Sequence, residues 1–388
     1  MRLTARTRQL EASPIAEAKA WLPERTSDRP LLDLSQAVPN YPTAPEIVRR
    51  IAEVAAESNA GAYAPPPGLP ALNEAFAAEV RHDYATERVD AGHVLPVGGC
   101  NQAFSVVVSA IAEPGDDVIL PVPYYFNHDM WLKLDGLRPI YVDTSSTDFV
   151  PDPEAVEAAI TERTRAIVVV SPGNPTGATV PASTIEALFD VAARHDLALV
   201  VDETYRNFRD TTAAPHACLQ RSDWERTYVG LHSFSKDLAI AGYRVGAVVA
   251  GRALLDEVMK LVDCVQISAP RIGQEAVVTG LTEATAWRDA QRERILGNLD
   301  RFRAVMAEQP GGFELVSSGA FFGWVRHHHD LATAEVVKRL VLDHDVLAIP
   351  GTAFTPTDER WLRFSYANLG ADELDLLAAR LREFAAAG

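Results

Sequence analysis

The sequence predicts an α/β protein: a large domain on a mostly parallel sheet, with a smaller α+β domain near the C-terminus. Two observations carry this. Short, continuous apolar runs rich in β-branched residues recur through the middle of the chain, as strands buried on both faces require. Between them lie segments with helical spacing, such as ASTIEALFDVAARHD at 182–196, and that alternation marks βαβ units.

Taken in order, HVLP (93–96) leads through a Gly-Gly turn into the helix-like QAFSVVVSAIAE (102–113). DDVILPVP (116–123) follows a Pro-Gly turn and reads as a buried strand. AIVVVSP (166–172), LALVVDE (197–203), TYVGLH (227–232) and RVGAVVA (244–250) read the same way. Near the end, GAFFGWVR (319–326) and WLRFSYA (361–367) read as strands of a second, smaller sheet. Helices over 332–345 and 371–387 flank them. No long flexible linker interrupts the pattern. The expected division is an N-terminal segment, 1–47, packed on the small domain, a large domain over 48–288, and a small domain over 289–388.

Bulk composition excludes several classes. With 36 basic and 53 acidic residues the formal charge is −17, which argues against nucleic acid or an anionic membrane as partner. Cys100, Cys218 and Cys264 are sparse and contain no CxxC, so neither a disulfide framework nor a zinc site is expected. The first 21 residues lack the apolar stretch of a signal peptide. No apolar run approaches the length of a membrane span. A cytoplasmic, soluble protein is the expectation.

Four features fall at predicted strand ends, where open α/β sheets bind ligands. VGGCNQAF (97–104) places bare amides at a helix start, suited to an anion; the plain alternative is a strand–helix turn. SPGNPTGA (171–178) carries Asn174, whose amide can donate or accept. VVDETYRNF (201–208) ends an apolar run on Asp202, a costly place for an unpaired carboxylate. Asp202 is either a helix cap or the charge partner of a buried cationic ring nitrogen, with Tyr205 three residues on. SFSKDLAIAGYRVG (233–246) sets Lys236 among Ser233, Ser235 and Arg244. A lysine there suits Schiff-base chemistry, and two hydroxyls with a guanidinium suit a phosphate dianion. A surface lysine at a strand end is the plain alternative.

Together, and in this order, these motifs resemble the fold-type I pyridoxal-phosphate (PLP) enzymes, and more narrowly the class I/II, aspartate aminotransferase-like family. GAYAPPPGLPALNEAFA (61–77), PVPYYFN (121–127), VLAIPGTAF (346–354) and WLRFSYA extend the resemblance from about Leu34 to Ala367. It implies a seven-stranded sheet and PLP as cofactor, with pyridoxamine phosphate formed during turnover. By the same resemblance Lys236 holds the cofactor covalently and shuttles the substrate proton. Asp202 pairs with the ring nitrogen, Asn174 and Tyr205 bond the ring hydroxyl oxygen, and Tyr125 stacks on the ring. Gly99, Cys100, Asn101, Ser233, Ser235 and Arg244 hold the phosphate, and Tyr63 reaches it from a second subunit, implying a homodimer with shared sites. Arg363 takes the substrate α-carboxylate as a planar fork, beside Asn174 and Ala37. Ala37 stands where relatives often have glycine, and Cys100 where they often have serine.

The reaction implied is ping-pong transfer of an amino group between an α-amino acid and a 2-oxo acid. A PLP lyase, a β- or γ-replacement enzyme, or a cyclase on an S-adenosylmethionine-type substrate is the alternative on the same site. Tyr41, Phe126, Phe321 and Phe322 hint at an apolar pocket, with core packing as their plain role. Arg326 and Lys133 are guesses for a second substrate cation. VRHHHD (325–330) reads as the solvent-facing end of a strand and not as a metal site, because consecutive side chains alternate faces.

Overall fold

The computed structural model describes residues 1–357 and 360–386. The large sheet has seven strands: β1 (Val94–Val97), β2 (Asp117–Val122), β3 (Arg138–Asp143), β4 (Thr164–Val170), β5 (Ala198–Asp202), β6 (Tyr228–Ser233) and β7 (Gly246–Ala250). Their spatial order is β1-β7-β6-β5-β4-β2-β3. β3, β2, β4, β5 and β6 are mutually parallel, and β7 runs against both β6 and β1. The C-terminal ends of β1, β2, β4, β5 and β6 therefore open on one edge of the sheet, where β7 begins.

Both faces are covered. In β4, Ala166 and Val168 pack toward helices Cys100–Ile111 and Arg252–Val265. Ile167 and Val169 pack toward helices Pro70–Asp83, Ala182–Arg194 and Arg271–Thr282. Burial on both sides explains why the strands read as unbroken apolar runs, each buried valine or isoleucine contributing about 1.5–3 kcal/mol. Strand β3, RPIYVD, has no such signature. It is an edge strand, partly exposed, and tolerates Pro139 for that reason.

The second sheet holds β8 (Phe313–Gly319), β9 (Phe322–His327), β10 (Ile349–Pro350) and β11 (Trp361–Phe364), ordered β10-β11-β9-β8 and antiparallel throughout. Leu32–Asp33 pairs in parallel with Val346–Leu347 and ties the N-terminal segment to this unit. The helix Thr285–Met306 runs unbroken from one unit to the other.

One expected strand is corrected. Residues 319–326 are not a single strand: Gly319 pairs with Phe322, and Ala320 (φ +46°) and Phe321 make a hairpin turn. Phe321 is fully buried against Tyr205 and Phe208, so this turn lacks the polar residues that normally announce one. The histidine run is corrected in part. His327 is buried, its Nε2 3.1 Å from Thr333 Oγ1. His328 points out to Glu314 at 3.0 Å, and His329 rests on Phe313 and Phe384. Among the described residues no group of three or more His, Cys, Asp or Glu could hold a metal ion, and no helix is long and apolar enough to cross a membrane.

Candidate active site

The shared strand edge gathers the residues singled out in the sequence. β5 ends on Asp202, β6 ends on Ser233 with Lys236 just beyond, β4 leads to Asn174, and β1 leads to Gly98-Gly99. A cavity of about 220 Å³ there is lined by Cys100, Asn101, Tyr125, Asn174, Asp202, Tyr205, Ser233, Ser235, Lys236 and Arg244. Parallel topology is the cause: strands far apart in sequence deliver their C-terminal residues to one place.

One end of this site is built for an anion. Gly99 (φ +90°) caps the twelve-residue helix Cys100–Ile111, whose first backbone amides have no partner within the helix. A Cβ at Gly99 would lie 2.5 Å from Arg244 Nη2, so only glycine lets the guanidinium approach. Arg244 donates to the carbonyls of Ala241 and Gly98 at 3.0 and 3.3 Å. Ser233 Oγ accepts the Ser235 amide at 3.3 Å. Helix terminus, hydroxyls and guanidinium together suit a phosphate dianion.

Asp202 provides the opposite charge. It is buried, accepts the Thr204 amide at 3.0 Å on Oδ1, and lies 3.2 Å from His128 Nε2 on Oδ2. Burial alone would raise its pKa. The bond and charge of His128, then the bonds from Thr204, overcome that and hold the carboxyl below its usual range. His128 stacks on Phe104, 4.0 Å between ring centroids. The sequence reading missed His128, although it lies three residues after Tyr125 and so faces the same way on the helix Phe126–Asp135. It also missed Gln36, Val38 and Thr204, which line the cavity and carry no motif of their own.

Lys236 Nζ donates to the Ala37 carbonyl. Burial, then the positive charges of Arg363 and Arg244, push its pKa down to about 8, so the reactive neutral amine is accessible near neutral pH. Arg363 is 2% exposed. It donates to Asn174 Oδ1 at 3.0 Å and to the Ser35 carbonyl, and it lies over the rings of Phe322 and Phe354. Its Nε has no partner among the described residues. Burial draws its pKa down to about 10, countered only by Tyr205 and Tyr125. Among the described residues no carboxylate pairs with it, and a buried charge left without a partner is costly.

Other expected residues lie elsewhere. Tyr63 is 76% exposed and outside the cavity of its own chain. Lys133 pairs with Asp129 at 2.7 Å, and Arg326 is exposed over the Trp361 ring, so neither guess for a second cation faces the cavity. Tyr41 packs against Trp287, Phe126 against Phe354 and Phe321 against Phe208; these three are core. Phe322 packs against Tyr205 and under Arg363.

The donor set fits pyridoxal phosphate. The anion cup suits its phosphate, an ionised buried carboxylate suits its protonated ring nitrogen, a neutral-leaning amine suits its aldehyde, and Tyr125 offers an aromatic face. Comparison with known proteins agrees. The profile of the family "Aminotransferase class I and II" matches residues 29–381. An arginine–pyruvate transaminase of Pseudomonas aeruginosa is 32% identical over 89% of this chain and 87% of its own. An aromatic aminotransferase of Arabidopsis thaliana is 28% identical over 98% and 95%. The solved aspartate aminotransferase of Thermus thermophilus with maleate superimposes with a TM-score of 0.89, at 27% identity over 99% of this chain and 100% of that one. With its site and fold in agreement, the chain belongs to the class I and II aminotransferases and is a PLP-dependent transferase that moves amino groups between amino acids and 2-oxo acids.

Proposed function

We propose that Lys236, Asp202 and Tyr205 carry the chemistry and that Arg363 orients the substrate. When bound, the cofactor supplies an electrophilic aldehyde and an electron-withdrawing ring. Lys236 would hold it covalently through Nζ. Lys236 Nζ, as the neutral amine, would be the base that takes the proton from the substrate Cα. The observation that carries this reading is the depressed amine of Lys236 in the same cavity as a buried, ionised Asp202. Asp202 would pair with a protonated ring nitrogen, and His128, 3.2 Å away, keeps Asp202 in place. Asn174 and the Tyr205 hydroxyl would hold the ring oxygen, Tyr125 would offer its ring to the cofactor, and Gly99, Cys100, Asn101, Ser233, Ser235 and Arg244 would hold the phosphate. Arg363, backed by Asn174 and the Ala37 segment, binds the α-carboxylate. That contact would fix the orientation of the Cα–H bond for proton removal. Cofactor groups thus come from residues 48–288 and the substrate arginine from 289–388. The division near 288 falls within the helix Thr285–Met306, which joins the two units.

Transamination predicts a stoichiometry. Incubated with a donor amino acid alone, the PLP-loaded enzyme releases one 2-oxo acid per subunit and stops. Turnover resumes when an acceptor oxo acid is added. Continuing release of oxo acid or ammonia without an acceptor would replace transamination with a lyase reaction.

The exposed Tyr63 supports a homodimer in which each subunit lends this tyrosine to the other's phosphate. Lys236→Ala and Tyr63→Ala subunits are each expected to be impaired. Mixed and re-formed, they regain activity above the mean of the two, because the hybrid dimer holds one intact site. Recovery no greater than the mean would place Tyr63 outside the site. A cytoplasmic location and a role in amino-acid biosynthesis complete the proposal. The free thiols of Cys100, Cys218 and Cys264 support a reducing compartment.

A further inference from the structure

One wall of the cofactor cavity is a strap of irregular chain. It leaves the short strand Leu32–Asp33 and runs toward the helix Pro45–Ala55. Gln36 and Val38 on this strap line the cavity. Between them the Ala37 carbonyl accepts from Lys236 Nζ. A carbonyl has no rotamer of its own, so it stands only as firmly as its peptide unit is held.

That peptide unit is held from its far side. The Ala37 carbonyl and the Val38 amide belong to one planar trans unit and point in opposite directions. Asn368 Oδ1 accepts the Val38 amide at 3.1 Å. Asn368 Nδ2 donates to the Asp33 carbonyl at 3.0 Å and to the Gln36 carbonyl. Both ends of one side-chain amide are thus spent on the strap. Asn368 stands behind it, outside the lining of the cavity.

Its own mounting is firm. Asn368 ends the turn Tyr366–Asn368, just past Arg363 on β11. The Tyr366 ring stacks on Phe302, 4.9 Å between centroids, and its hydroxyl donates to the Ala320 carbonyl. The Asn368 carbonyl accepts from Asn40 Nδ2 at 2.8 Å. Nearby, the Ser365 amide donates to the Leu34 carbonyl at 2.9 Å. Arg363 also reaches the strap, at the Ser35 carbonyl, but it is held independently by Asn174 at 3.0 Å. Loosening the strap therefore bears on Lys236 more than on Arg363.

We propose that Asn368 is a positioning residue for amino transfer: by holding the Val38 amide it fixes the Ala37 carbonyl that aims the Lys236 amine. This rests on the assignment of Lys236 as the base.

The test uses Asn368→Ala in the PLP-loaded enzyme. Pyruvate is the acceptor, and the donor is whichever of the twenty protein amino acids the wild type converts fastest. In the variant kcat is expected to fall at least tenfold with KM within threefold, inside the roughly 10²-fold that a misplacement of about 1 Å costs. Deuterium exchange of the 33–40 amides quickens at least fivefold. Pyridoxamine phosphate, titrated calorimetrically into the cofactor-free protein, binds within twofold of wild type, because the strap is not part of the phosphate cup. Asn368→Asp keeps the acceptor for Val38 and is expected to recover at least threefold in kcat. Asn368→Ser carries the same test if Asn368→Ala does not fold. Faster exchange with kcat lowered less than tenfold overturns the proposal, as does unchanged exchange. A matching loss of pyridoxamine phosphate binding overturns it too, since that marks a general loss of structure. Lys236→Ala is run alongside. If it turns over like wild type, the assignment of the base falls; if it is inactive while Asn368→Ala is not, only the role of Asn368 falls.

Discussion

Lys236→Ala is expected to lose transamination in both directions, with kcat lowered by roughly 10²–10⁴-fold or more, as removal of a positioned acid–base group does. It still binds PLP, now non-covalently, because Gly99, Ser233, Ser235 and Arg244 are untouched. Single-turnover assays and the PLP content of the purified variant measure the two halves of this result. Turnover at the wild-type level would remove Lys236 from the chemistry. A pH experiment tests the same residue independently. In the cofactor-free wild type, labelling of Lys236 by an amine-directed acylating reagent follows the neutral amine. Its rate should rise with pH and be half-maximal near the depressed pKa of about 8, against the ordinary lysine value of 10.5. The sign follows from the cause: burial and the charges of Arg363 and Arg244 disfavour the protonated form, so the proton leaves at lower pH. A midpoint near the ordinary value would mean that Lys236 is open to solvent.

Arg363→Ala has the next largest expected effect. The guanidinium is buried between Phe322 and Phe354, 5.2 and 5.0 Å from their ring centroids, and its Nε has no partner among the described residues. A substrate carboxylate would supply the missing partner. Truncation is expected to cost about 2–5 kcal/mol in kcat/KM for α-amino acids, as loss of a buried, hydrogen-bonded charge pair does. Arg363→Lys should recover only part of this, because an ammonium cannot reproduce the planar fork. A change below about 1 kcal/mol, the worth of a solvent-exposed pair, would move the carboxylate site elsewhere. Thermal unfolding of the variant separates binding from stability: emptying this position also leaves a cavity, which lowers Tm without selecting between substrates.

Much of the site was legible because its residues carry local signals. Gly99 stands at a helix start, Asp202 at the end of an apolar run, and Lys236 between serines and Arg244. Each signal is an exception to a local rule, such as a charge where apolar residues belong or a glycine where the backbone must turn left-handed. His128 broke no rule. A histidine on a helix is unremarkable until Asp202 is 3.2 Å away. The turn at Ala320-Phe321 was hidden for the opposite reason, since its residues are apolar and buried like those of the strands it joins.

By itself, the sequence determined the α/β class, most strands of the large sheet, the order of the cofactor motifs and the family. These are properties of pattern and spacing, readable along one dimension. Only the tertiary structure decided that Arg363, 189 positions from Asn174, donates to it at 3.0 Å. It also decided that Lys236 meets the carbonyl of Ala37 and that Lys133 and Arg326 lie outside the lining of the cavity. Those facts depend on which strand ends share an edge and on where a desolvated charge finds its partner. Both are set by packing between segments far apart in sequence, which spacing along the chain does not encode.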